Sequence, residues 1–182
     1  MARENFIEMR IGGLTLDPVT KTPIVILKDA ENKLNLPIWI GLMEATAMAT
    51  ELEGIKMARP MTHDLLASVL TELGGAVDRV VVNDLANDMF FARLHVRVDE
   101  RELEIDARPS DALALAVRSE APIFVEDAVL ERAGVTLDES TEGDAGDETR
   151  SRGPAVKPEE IEKMSAFKDF IEGLDLDDFD RR

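Results

Sequence analysis

The chain has 182 residues, no cysteine, 21 Lys+Arg against 38 Asp+Glu, and a formal net charge of -17. The absence of cysteine excludes a disulfide scaffold, a thiolate metal site and a thiol nucleophile, and the charge opposes any diffuse electrostatic grip on nucleic acid or anionic membrane. Hydrophobic residues reach 45%, enough for a core. MARENFIEMR lacks the apolar run of a signal peptide and no later run reaches membrane-span length, so a soluble, cytoplasmic chain with no membrane partner is expected.

In chain order, Phe6 to Leu16, Pro23 to Lys28 and Leu34 to Ile40 read as strands, broken by Asp17-Pro18 and by the polar run Asp29 to Lys33. Leu42 to Leu52 reads as a helix closed by Gly54. Thr62 to Leu73 reads as a second, with Thr62 as N-cap and Gly74 past its end. Val77 to Leu85, Phe90 to Val98 and Leu103 to Ala107 follow as strands, with turns at Asn87-Asp88 and Asp99 to Arg101. Ser110 to Arg118 is a third helix, nearly apolar all round and therefore buried. Pro122 to Val125 is a short last strand, and a brief helix around Asp127 to Arg132 ends the domain.

Residues 1–133 hold 14 Lys+Arg against 23 Asp+Glu, while the 49 residues that follow hold 7 against 15, so negative charge is denser in the tail. The expected organisation is a domain over 1–133, a flexible acidic linker over 134–158, and a short amphipathic acidic helix over 159–182 led by Pro158. The stretch from Leu36 (LPIWIGLMEATAMA) aligns without gaps on the stretch from Leu103 (LEIDARPSDALALA). It matches Glu44 with Asp111, and Asp17 with Asp84 at the same offset, which suggests a duplicated strand-strand-strand-helix unit. Consecutive strands joined by short turns imply an α+β fold with a largely antiparallel mixed sheet, packed helices and an acidic C-terminal tail.

The candidate chemistry falls in three places. Strand 90–98 puts Arg93, His95 and Arg97 on one face, and the next strand puts Glu102, Glu104 and Asp106 opposite its core residues. A turn at Glu100-Arg101 would set Arg97 across from Glu104 and His95 across from Asp106. This reads either as a solvated ladder of opposite charges or as a His-carboxylate dyad beside arginines, suited to acid-base work on a phosphate ester. Two helix starts share a composition, Arg59-Pro60-Met61-Thr62-His63-Asp64 and Arg108-Pro109-Ser110-Asp111. Each suits either plain helix stabilisation or phosphate capture by free N–H groups and a bidentate arginine. Asp106, Asp111 and Glu44 form a candidate carboxylate set for Mg²⁺ or Mn²⁺, which prefer oxygen ligands. Trp39 reads as core or interface in place of a base-stacking platform. No Gly-rich phosphate loop, nucleophile elbow or His-rich metal motif is present.

Taken together, GLTLDPVTKTPIVILKD (Gly13–Asp29), LPIWIGLMEATAMATELEGIK (Leu36–Lys56), RPMTHDLL (Arg59–Leu66), DARPSDALALAVR (Asp106–Arg118) and APIFV (Ala121–Val125) resemble the bifunctional nuclease domain family over about residues 6–132. The resemblance implies an α+β domain, frequently a homo-oligomer, to which degradation of DNA and RNA is attributed. Combined with the residues above, it suggests a metal-assisted phosphodiesterase. Asp106 and Asp111, with Glu44, would bind the ion; Arg108, Arg59 and Arg93 would hold phosphate; His95 or His63 would move protons. The competing reading is a non-enzymatic oligomeric regulatory module that binds a small anion or nucleotide at the Arg-led helix starts, which the net charge favours.

Overall fold

A computed structural model describes residues 5–136. Its strands are β1 (Phe6–Leu16), β2 (Pro23–Asp29), β3 (Leu34–Trp39), β4 (Gly75–Ala86), β5 (Met89–Val98), β6 (Arg101–Ala107), β7 (Ile123–Glu126) and β8 (Val135–Thr136); its helices are α1 (Leu42–Leu52), α2 (Thr62–Glu72), α3 (Pro109–Ser119) and α4 (Asp127–Ala133). All eight strands join one sheet in the order β6-β5-β4-β7-β1-β2-β3-β8. Every pairing is antiparallel except β4 with β7. The fold is α+β, and the two three-stranded meanders β1-β2-β3 and β4-β5-β6 flank β7 on opposite sides.

Turn chemistry explains the meanders. Asn87 and Asp88 both have positive φ, 52° and 60°, the two-residue hairpin geometry that twists with its strands. Asp17 accepts the Val19 and Thr20 amides at 2.9 and 2.8 Å, a side-chain turn that reverses the chain between β1 and β2. Gly54 and Gly74, with φ of 66° and 75°, close α1 and α2, where a side chain would be strained.

Helix α3 lies at the centre of the core. Five consecutive residues, Ala112 to Ala116, are at most 2% exposed, with α1 and α2 flanking the helix and β4 and β5 beneath it. The alanines let these elements approach closely, while Leu113 and Leu115 each contribute roughly 1.5–3 kcal/mol of burial. β2 is buried along Pro23 to Leu27, so both of its faces are covered.

Three expectations need correction. The β5–β6 hairpin turns one residue earlier than expected, which shifts the pairing by two: Val98 pairs with Arg101, His95 with Glu104 and Arg93 with Asp106. Asp99, with φ of 54°, takes the turn position. The shift is even, so the faces are right while the partners are wrong. Leu103 and Ile105 do lie on the helix-bearing face, paired with Val96 and Leu94, but they are 38% and 44% exposed because β6 is the edge strand. Finally, Met61 is the N-cap of α2 and Thr62 its first helical residue. Asp64 supplies the capping by accepting the Met61 amide at 2.7 Å.

Val135–Thr136, placed by sequence in the linker, pair with β3. The rest of the expected linker and the helix led by Pro158 lie outside the described residues.

Candidate functional site

Three helix starts meet. Glu44 sits in the first turn of α1, His63 and Asp64 in the first turn of α2, and Asp111 in the first turn of α3, whose N-cap is Arg108. Pro109 follows Arg108 as the first helical residue, a position where its missing N–H costs nothing. The neighbouring turn is shaped by Gly41, the N-cap of α1. A Cβ there would collide with the Glu44 carboxylate, so glycine lets that side chain fold back over the turn.

Arg108 ties the cluster together. Its Nε donates to Asp111 Oδ2 at 2.7 Å, and its Nη2 donates to Asp111 Oδ1 at 3.0 Å and to Glu44 Oε1 at 2.8 Å. His63 Nε2 lies 3.1 Å from Asp111 Oδ1. The His63 side chain is 10% exposed and that of Arg108 66%, so the imidazole is held inside while the guanidinium reaches the surface. Nη1 of Arg108 makes no hydrogen bond among the described residues, which leaves two of its five N–H donors for a ligand.

A second ion pair braces the first. Arg118, with its side chain 5% exposed, donates through Nε to Asp64, and through Nη2 to the Ala47 carbonyl at 3.0 Å. It thereby joins α3 to both α1 and α2. Burial pushes the Asp111 carboxyl up, but hydrogen bonds from Arg108 and His63 and their charges outweigh it, leaving it below the ordinary value. Asp64 shows the same balance: burial raises it, and Arg118 with the Met61 amide draws it below the ordinary value. The hydrogen bond from Arg108 to Asp111, with Glu44 adding, drives the guanidinium further up, so it stays cationic.

Among the candidates from sequence, Glu44, His63, Arg108 and Asp111 are brought together. Asp106, Arg93 and His95 are elsewhere, on the sheet face opposite Ala92, Leu94 and Val96. There Arg93 donates to Glu104 at 2.7 Å. His95 Nδ1 sits 3.3 Å from Arg79 Nη2 and 3.9 Å from Glu104, so the expected His95–Asp106 pairing is replaced by His95 beside Glu104. Arg59 is exposed in the connection between α1 and α2. Among the described residues no three His, Asp or Glu side chains converge as metal ligands. The expected carboxylate trio does not fit a divalent ion in this arrangement: Asp106 is on the other face, and Arg108 bridges Glu44 and Asp111.

An open cleft of about 410 Å³ adjoins Arg108. Its walls come from the end of β3, the β3–α1 turn, the β4–β5 hairpin and the start of α3, and include Trp39, Met89, Phe90 and Ser110. Trp39, expected in core or interface, is therefore part of a cleft wall. Its indole Nε1 donates to Asp17 Oδ2 at 3.2 Å.

Sequence reasoning missed Arg118, Gly41 and the cleft. A signal existed for part of this: the gapless alignment of the two halves matches Glu44 with Asp111, the two carboxylates that share Arg108. Arg118 had none, because its importance depends on burial.

Comparison with known proteins agrees with the sequence motifs. The family model described as the bifunctional nuclease domain matches residues 25–138. An uncharacterized protein of Mycobacterium tuberculosis (strain ATCC 25618 / H37Rv) is 36% identical over 172 residues, covering 94% of this chain and 97% of that protein. Bifunctional nuclease 1 of Oryza sativa subsp. japonica is 25% identical over 121 residues, 65% of this chain and 37% of that protein. Bifunctional nuclease 2 of Arabidopsis thaliana is 27% identical over 117 residues, 63% of this chain and 36% of that protein. The match thus spans about a third of each plant protein and nearly all of the mycobacterial one.

Proposed function

The chain belongs to the bifunctional nuclease domain family, and from that premise we propose that it is a cytoplasmic phosphodiesterase acting on DNA and RNA. The observation that carries the site is Arg108, an exposed guanidinium with uncommitted N–H donors set against the buried His63 and its half-buried partner Asp111. Arg108 would hold a phosphate oxygen. His63, oriented by Asp111, would accept a proton from the attacking water and return one to the leaving oxygen as the P–O bond breaks. Nothing in the cluster reads base edges, consistent with indifference to sequence and sugar. Mg²⁺ or Mn²⁺ assistance is retained as a condition of the test; no step is assigned to a metal, because the carboxylates do not converge on an open point.

The test is cleavage of labelled single- and double-stranded DNA and RNA by purified protein in Mg²⁺, Mn²⁺ or EDTA. Arg108→Ala and Asp111→Asn, checked as folded by circular dichroism, should each lower the rate by about 10²-fold or more. Equal cleavage by wild type and variants would place the activity elsewhere or in a contaminant.

A second reading is supported by the two carboxylates already on Arg108 and by the net charge of -17. In it the protein is a regulatory module that binds a small anion or nucleotide without cleaving it. Binding without turnover under every metal condition would favour this reading. Self-association belongs to both readings and is supported by Leu65 and Val69 on α2 and Leu73 at its C-cap, which are exposed at four-residue spacing. Sedimentation should show a mass above 20.1 kDa.

A further inference from the structure

The cleft beside Arg108 has a mixed lining. Trp39, Met89 and Phe90 are apolar, while Arg108, Ser110 and Asp88 are polar. A volume of about 410 Å³ falls in the lower part of the range for small-molecule sites, roughly 300–1,000 Å³, suited to one nucleotide unit and not to a duplex.

Three features mark it as a built site. Trp39 is pinned by its hydrogen bond to Asp17, which is itself 2% exposed, so the indole plane is set before any ligand arrives. Met89 is 59% exposed at the end of the hairpin turn, an apolar side chain left in water at the cleft edge. Ser110 is 7% exposed and lines the cleft, which puts a hydroxyl donor beside Arg108. A ligand with a flat apolar body and an attached anion would satisfy all three.

We infer that this cleft is a nucleotide subsite: the base packs among Trp39, Met89 and Phe90 while its phosphate takes the free Nη1 of Arg108 and the Ser110 hydroxyl. The inference rests on the reading of Arg108 as the phosphate-holding residue and adds where the base attached to that phosphate lies. Aromatic faces accept every base, so the subsite discriminates poorly among them. The ligand chemistry is shared by a free mononucleotide and by the terminal unit of a polynucleotide.

Trp39 is the one tryptophan of the chain, so its fluorescence reports the cleft directly. The full-length protein is titrated with adenosine monophosphate, uridine monophosphate, a short single-stranded oligonucleotide, adenosine and inorganic phosphate, with excitation at the red edge of the indole band. Both monophosphates should quench Trp39 saturably, and adenosine should bind about tenfold or more weakly for want of the anion. Phosphate should compete without quenching. An oligonucleotide that binds more tightly than the monophosphates would identify the polynucleotide as the source, and the reverse would identify the free nucleotide. Met89→Ala, at an exposed position that does not threaten folding, should weaken the monophosphates about fivefold or more while leaving phosphate unchanged. Arg108→Ala should weaken both, and Ser110→Ala should weaken the monophosphates more than adenosine.

Absence of saturable quenching, or quenching indifferent to both Met89→Ala and Arg108→Ala, would overturn the subsite. Its failure and that of the nuclease reading are separable. Quenching without cleavage keeps the subsite and removes the nuclease. Arg108-dependent cleavage without quenching keeps the nuclease and removes the subsite.

Discussion

Two regions of this protein are built from the same kinds of side chain. The helix-start cluster contains Arg108, His63, Asp111 and Glu44; the face of β5 and β6 contains Arg93, His95, Glu104 and Asp106. In the first, contacts join residues 48 and 64 positions apart, and the carboxylate side chains are 32% and 18% exposed. In the second, the Arg93–Glu104 pair joins residues 11 apart, with side chains 51% and 55% exposed. Residue identity therefore does not distinguish a candidate site from a solvated ladder. Burial of the carboxylates does, because it strengthens each charge interaction and penalises each unpaired group.

The comparison is broken most severely at Arg118. Arg118→Met keeps the apolar stem but leaves Asp64 and the Ala47 carbonyl without their partner. The expected loss is about 3 kcal/mol in urea unfolding, at the lower end for a buried pair because the Asp64 side chain is 30% exposed. Gly41→Ala comes next. Its Cβ displaces Glu44, and a loss of about 1 kcal/mol is expected, with fewer contacts to Arg108. Glu44→Gln sharpens the comparison in the other direction. Removing one of two negative charges that compete for Arg108 should tighten phosphate binding about fivefold, measured by competition against the monophosphate.

Acid sensitivity separates the regions further. Asp64 and Asp111 have folded pKa values below the ordinary aspartate value of 3.8. Their contribution to stability is therefore fully present above that value and is lost as pH falls through the lowered folded values. The stability gap between wild type and an Asp64→Asn/Asp111→Asn double variant should hold at neutral pH and shrink below pH 3.8, followed by urea midpoints. The smallest effect belongs to the ladder. Arg93→Ala should leave the unfolding midpoint within experimental scatter, even though the Arg93 hydrogen bond draws Glu104 below its ordinary value. A clear destabilisation there would erase the distinction between the two regions.

Much of the fold was legible because it depends on local patterning. β1 and α1 have the bounds read from alternation and from the helical period, and α3 is buried all round as its apolar sequence implies. The β5–β6 register was misread because both turn positions carry acceptable residues, and a shift of two preserves every inward and outward assignment. Leu103 and Ile105 have core-like chemistry, yet no residue nearby in sequence indicates that β6 ends the sheet. Asp106 and Asp111 are five positions apart but face different sides, since the chain passes from strand to helix between them.

By itself, then, the sequence determined the succession of strands, helices and turns, the apolar faces and the family, all of which follow from backbone preferences and spacing over a few residues. Tertiary structure alone decided that Glu44, His63 and Asp111 meet around Arg108, that Arg118 is a buried clamp, and that Trp39 lines a cleft. Such encounters depend on the order in which strands join the sheet and on how three helix starts pack. Those are sums of many weak contacts between distant residues, and no short stretch of chain encodes them.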